Sequence, residues 1–227
     1  MADTSQTIRA DRHRILVETL TATLRPVRPL WPVRTRLMLW LLLEALVLLW
    51  VATHTGNNFV SKLGHLNYVL EVAFFAGAAT LAAMMALRAA IPGRRISPRE
   101  AAVAVVLMLI GITLVMVGAP VRVGYPLGEF LHVGLGCALE TCVLAALPWV
   151  ALWWAIKRGA PMRGAGAGGL IGAAAMLFSF ALMRINCAID EPLHIVTWHL
   201  MPALAVTAFS ATAGAVRLRF RPRPRPL

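Results

Sequence analysis

Charged side chains make up only 14% of this 227-residue chain, while 59% of its residues are hydrophobic. A soluble domain carries about a quarter charged and about half apolar residues, so the shortage excludes a soluble globular fold and marks an integral membrane protein. Cysteine is sparse as well: there are three, with no CxxC pair and no Cys/His finger spacing. That excludes a zinc ribbon and the redox-active dithiol a membrane thiol oxidoreductase needs, and leaves room for a single disulfide or a thiol sensor. No internal repeat is visible, which counts against a transporter built from inverted halves. The polar stretch before the first apolar residues near Leu37 is too long for the n-region of a cleavable signal.

What the chain does contain is six apolar runs, at about 37–54, 66–87, 100–120, 130–156, 165–185 and 193–216. Each is near the ~20 residues needed to cross a hydrocarbon core. The expected fold is all-α, a six-helix transmembrane bundle in three parts: a cytoplasmic segment 1–36, a membrane domain 37–216 and a basic tail 217–227. An even number of spans puts both termini on one side. Nineteen Lys and Arg residues fall on that side, in the N-terminal segment, the second-to-third and fourth-to-fifth connections and the tail; only Lys62, Arg122 and Arg184 fall on the other. The positive-inside rule then makes both termini cytoplasmic. The net charge of +12 is mostly topology, and no direct nucleic-acid binding is expected from it.

The N-terminal segment divides at Pro26. Between Ile8 and Leu24, the residues Leu16, Val17, Leu20 and Leu24 share one helical face, with Asp11, Arg14 and Glu18 opposite, which predicts a short amphipathic helix over about 8–24. An interfacial helix lying on anionic lipid is the plainer reading of the same pattern. From Arg25 to Arg34 a proline at every third position predicts an extended connector. The Arg/Pro tail from Arg217 suits anchoring to anionic headgroups. Within the runs, Gly164, Gly168 and Gly172, and similarly Ala73, Gly77 and Leu81, predict close helix approach.

The reactive groups are one-sided. His54, His65, Glu129, His132, Cys137, Cys187, Asp190, Glu191, His194 and His199 all belong to the outer half, and only His13 to the inner. Three carboxyls lie within runs. Glu140 follows Cys137 by three residues and shares its side of the helix, whereas Glu44 and Glu71 have no partner the sequence can name; hydrogen bonding between helices in the protonated form is expected for all three. Cys137 lies ~12 Å along its helix from the outer end, and Cys187 ends the fifth run. Whether they meet depends on how far the 186–192 connection dips, since a disulfide needs Cα atoms within about 7 Å. Cys142 points about 140 degrees away from Cys137 and reads as packing. In the last run Asp190 or Glu191 is expected to cap the helix with Pro192 in its first turn. At 100 degrees per residue His194 and Trp198 share a face and His199 points about 140 degrees away. With Cys187, Asp190 and His194 offer ligands for a thiophilic metal, or groups that set the thiol pKa; the plainer reading is a capped helix with hydrogen-bonded histidines and an interfacial tryptophan.

Two parts of the chain together resemble the NrsF-like family of bacterial integral-membrane anti-sigma factors. One is Leu24-Arg-Pro-Val-Arg-Pro-Leu leading into the first span; the other pairs Gly136-Cys137 with Cys187-x-x-Asp190-x-Pro192-x-His194-x-x-x-Trp198-His199. Members are similar in holding an extracytoplasmic-function sigma factor inactive at the inner membrane and freeing it under heavy-metal or oxidative stress. The resemblance implies a regulator without catalytic turnover, a sigma factor as cytoplasmic partner, a multi-pass inner-membrane location, and Cys137 and Cys187 as sensing thiols, with Cys142 leaving the pairing open. Asp190, His194, His199 and Glu140 would support them or hold a transient metal ion, with no cofactor required. Leu16, Val17, Leu20 and Leu24, with Arg25 and Arg28, would contact the sigma factor. Thiol oxidation or metal capture would shift helices four to six and weaken that contact. The alternative is a metal-ion transporter or another metal- or redox-binding membrane protein.

Overall fold

A computed structural model describes residues 3–22, 29–54, 62, 64–93, 97–118 and 126–218. All secondary structure among the described residues is helical, and the chain divides into two units, Met1–Leu30 and Trp31–Leu227.

The first unit holds α1, Asp3–Ala22. It starts earlier than the sequence pattern suggests and stops two residues before Leu24, which lies outside the described residues, as do Arg25 and Arg28. Arg14 is within 3.8 Å of Asp11 and 3.9 Å of Glu18, exposed pairs worth a few tenths of a kcal/mol each. Leu16, Val17 and Leu20 are exposed together with Ile15.

The second unit is a bundle of α2 (Val33–His54), α3 (Leu66–Ala89), α4 (Pro98–Gly118), α5 (Leu127–Lys157), α6 (Gly164–Asn186) and α7 (Pro192–Arg217). Five of these, all except α4, are long and apolar enough by length and composition to cross a membrane, among the described residues. The third run forms α4, which opens with a capping box: Ser97 N–H donates to Glu100 Oε2 (2.7 Å) and Glu100 N–H to Ser97 Oγ (3.2 Å), with Pro98 at the first helical position. α6 is the central helix, packed against α3, α5 and α7 and touching α2.

The sequence puts Arg34 and Arg36 in the cytoplasmic segment 1–36, before the first span, but α2 already begins at Val33, directly after Pro32. Arg36 is therefore helical and buried, on a stripe with Trp40, Glu44 and Val51. Its guanidinium donates to Trp31 O (3.0 Å), Ala155 O and Leu87 O (3.5 Å each). The last two are carbonyls near the C-terminal ends of α5 and α3, where helices leave acceptors unpaired and concentrate negative dipole charge. Farther along the stripe Trp40 Nε1 donates to Pro148 O (3.3 Å), and both oxygens of the buried Glu44 carboxyl lack a partner among the described residues. The same end is tied by Ala160 N–H to Ala90 O (3.1 Å), an approach that needs glycine at 159, because a Cβ there would fall 2.4 Å from that carbonyl.

Glycines fuse α6 to α7. A Cβ added at Gly164 would lie 2.3 Å from Gly214 O, at Gly168 2.2 Å from Ser210 O, and at Gly172 2.8 Å from Thr207 Cα. Ser210 Oγ crosses the contact to donate to Gly168 O (2.6 Å) and accepts from Trp149 Nε1 (2.9 Å). The second small-residue face, Ala73–Gly77–Leu81, behaves otherwise: Gly77 is exposed, and a Cβ added there would meet nothing within 4 Å, because α3 turns its Glu71, Phe75, Ala79 and Ala83 side inward instead. Gly168→Ala is accordingly expected to cost about 1–3 kcal/mol through overpacking, or roughly 2–4 °C of thermal midpoint per kcal/mol in a chain this size. Gly77→Ala should leave the midpoint in detergent unchanged; equal losses at both positions would contradict the close α6–α7 contact.

Candidate functional site

The bundle's other end is organised by Arg184, in the last turn of α6 and 5% exposed. Its Nε donates to Glu71 Oε2 of α3 at 2.9 Å and its Nη1 to Asp190 Oδ1 at 2.8 Å. Lys62 adds a second cation to Asp190 (3.2 Å). Lys62 Nζ also donates to Cys187 O and to Arg184 O (3.4 Å), and Tyr68 O–H donates to Arg184 O. These acceptors are the unpaired carbonyls at a helix C-terminus, satisfied by a cation and a phenol where the helix dipole favours positive charge. The interhelical bond expected of Glu71 does form, but with Arg184 as its partner and as an ion pair in place of a protonated carboxyl, and Asp190 neither caps α7 nor joins the thiols. Glu191 occupies the N-cap position without a side-chain cap, and Pro192 begins the helix as the sequence suggests.

Held this way, the 187–191 connection turns Cys187 back under α5. Cys187 leaves the helix with extended backbone (φ −70°, ψ 129°) while its N–H still donates to Met183 O at 2.7 Å. Its sulfur lies 3.9 Å from that of Cys137, and the three cysteines are free. Cys187 Sγ is also 3.6 Å from His194 Nε2 and receives Ile189 N–H at 3.4 Å. The hydrogen bond with Cys137 is the largest influence on the Cys187 thiol and lowers its pKa; burial opposes this, and His194 and the Ile189 N–H add to the lowering. The thiolate is the form of cysteine that reacts and binds metal.

The fourth member arrives by a backbone irregularity. Residues Val196–Leu200 of α7 form a π-turn, with Met201 N–H bonded to Val196 O, five residues back. Pro202 follows: it has no N–H for the carbonyl of Trp198, and its ring crowds that carbonyl in a regular α-helix, so widening the preceding turn relieves both faults. The wider turn corrects the sequence-based geometry. His199 does not point away from His194; the rings sit 5.3 Å apart, centroid to centroid, and both are buried. Trp198 is carried to the α5 side, where its indole lies on Gly134 and Phe130; a Cβ at Gly134 would fall 2.1 Å from the ring.

One ligand atom each from Cys137, Cys187, His194 and His199 thus lies within 4.8 Å of all the others. Thr141, one turn beyond Cys137, orients the last of them. Its hydroxyl donates to Cys137 O (2.7 Å), so its oxygen accepts from His199 Nδ1–H (3.1 Å). That tautomer leaves the lone pair on His199 Nε2, which is buried without a partner among the described residues.

Of the remaining expected site residues, Glu140 is exposed and accepts from Asn186 Nδ2, its carboxylate outside the four-atom group. Cys142 is half-buried and also outside it. His54, His65, Glu129 and His132 are exposed and take no part. Sequence reasoning misses Thr141, Tyr68, Lys62 and Arg184. Lys62 and Arg184 are two of the three cations that the positive-inside count assigns to the outer side; Thr141 gives no signal.

The chain matches a family model described as NrsF: Negative regulator of sigma F, over residues 20–220. No curated protein and no solved structure matches it.

Removing one member of a buried ion pair costs about 3–5 kcal/mol, whereas replacing both with apolar groups is often close to neutral. Glu71→Ala is expected to destabilise strongly, and Glu71→Ala combined with Arg184→Met to recover most of the loss, with Asp190 kept by Lys62. Unfolding in detergent measures both; a double variant as damaged as the sum of its singles would remove the ion pair from the account.

Proposed function

The chain belongs to the NrsF family, the negative regulators of sigma F, and from that membership we propose that it is a membrane-embedded anti-sigma factor. In this reading it sequesters an extracytoplasmic-function sigma factor on the cytoplasmic face of the bacterial inner membrane. Release follows when Cys137 and Cys187, on the outer side, meet a heavy metal or an oxidant. The family match carries the reading, since it covers 20–220, which includes every span and the whole Cys/His group.

Two structural observations support the division of labour. The thiol pair and the Arg36 end are separated along α5 by the residues from Cys137 to Ala155, about 27 Å at 1.5 Å per residue, close to the ~30 Å of a hydrocarbon core. With α4 as the sixth span and the basic residues placed by the positive-inside rule, both termini are cytoplasmic and the cysteines face out. The partner-binding element is α1, which offers Leu16, Val17 and Leu20 to solvent; Leu24, Arg25 and Arg28 extend that contact. The protein regulates and catalyses nothing.

Co-expression with an extracytoplasmic-function sigma factor of the same genome, extraction in mild detergent and co-purification test this. Retention of the sigma factor, lost on deleting residues 1–24, is expected; a folded, monodisperse membrane protein that retains none overturns it. Cys137→Ser with Cys187→Ser should keep the sigma factor bound and abolish induction by metal or oxidant. Metal uptake into vesicles by the intact protein would instead favour transport.

A further inference from the structure

We infer that Cys137, Cys187, His194 and His199 form one complete four-ligand site for a tetrahedral, thiophilic divalent cation of the zinc class, in which the two histidines are ligands and not merely neighbours of the thiols. The inference builds on the sensing role given to the two cysteines and names what that site holds.

The distances suit such an ion. With metal–sulfur bonds of about 2.3 Å and metal–nitrogen bonds of about 2.0–2.1 Å, tetrahedral angles set the S···S edge near 3.8 Å and the S···N edge near 3.5 Å. Cys137 Sγ and Cys187 Sγ are 3.9 Å apart, and Cys187 Sγ and His194 Nε2 3.6 Å. The remaining edges are all within 4.8 Å. His199 supplies independent support: Thr141 holds its Nδ1–H, and the opposite nitrogen, on a residue 2% exposed, has no partner among the described residues. A ligating histidine is ordinarily fixed through its other nitrogen in this way.

Charge points in the same direction. Two thiolates and a divalent cation are together neutral, so the ion can sit in a buried site without uncompensated charge. The cations nearby are already committed, Arg184 to Glu71 and Asp190 and Lys62 to Asp190, and do not compete for the sulfurs. The four ligands come from α5, the α6–α7 connection and the first two turns of α7, where His194 precedes the π-turn that holds His199, so an ion bound there ties three elements together. It also occupies the space between the sulfurs, keeping them from forming a disulfide.

The test is cobalt(II) titration of the full-length protein, purified under reducing conditions and freed of metal with a chelator. One cobalt per chain is expected, with the intense visible bands of a tetrahedral centre and a thiolate-to-cobalt band in the near ultraviolet, all displaced by one equivalent of zinc. His194→Ala and His199→Ala should each weaken binding by more than the roughly 10–100-fold that loss of a residue hydrogen-bonded to a ligand costs. Cys142→Ser and Glu140→Gln should titrate like the parent. Folding of every variant is checked by monodisperse elution, and retention of the sigma factor is read in parallel. A parent protein that retains the sigma factor and binds no cobalt overturns the inference while leaving the anti-sigma reading intact. So do folded histidine variants that titrate like the parent. Cobalt binding as expected in a protein that retains no sigma factor removes the anti-sigma reading and leaves the metal site.

Discussion

Arg184 carries a positive charge at the end of a helix where almost none of its surface reaches solvent, and such a charge is tolerated only when carboxylates and acceptors surround it. Glu71 from α3 and Asp190 from the following connection supply them, while Lys62 and Tyr68 close the helix end by bonding its free carbonyls. The geometry of Cys187 is a by-product of this arrangement. With its carbonyl held by Lys62 and its N–H by Met183, the residue has little choice of position, and its sulfur is delivered against α5. The ion network therefore takes no part in the chemistry of the thiols; it sets the distance at which the two cysteines meet.

The second half of the site depends on a fault in α7 rather than on a strong interaction. Pro202 cannot complete a regular turn, and the residues before it take a wider one. A single extra residue in that turn is enough to move His199 from the far side of the helix to the side of His194. The small side of α5 at Gly134 accepts Trp198, which like His194 also meets Phe130.

Much of this is legible in the sequence. The helices follow the apolar runs, and the concentration of thiol and imidazole at Cys187–His199 does mark the site. Period and composition show that much because both report burial in lipid directly. They do not show partners across the bundle. Glu71 and Arg184 are 113 positions apart, and only their opposite charge within apolar surroundings hints at the pair. Asp190 looks like a cap or a ligand because its neighbours in sequence are Cys187 and His194, yet in space a guanidinium takes it. Helical periodicity misplaces His199 because a fixed 100 degrees per residue has no provision for a π-turn, although Pro202 three residues later is a readable warning. Arg36 counts in the sequence only as a topological charge, since its acceptors lie on two other helices.

The glycine seam between α6 and α7 has a mechanical consequence. Helices joined by interlocking side chains can slip by exchanging one rotamer for another, but these meet backbone to backbone, with Ser210 bonded across to Gly168, and have no such slack. They form a stiff beam, with Cys187 and the two histidines at one tip and Gly164 and Gly214 near the other. Sliding one of these helices along the other would have to break the Ser210–Gly168 hydrogen bond and open backbone contacts at three successive turns.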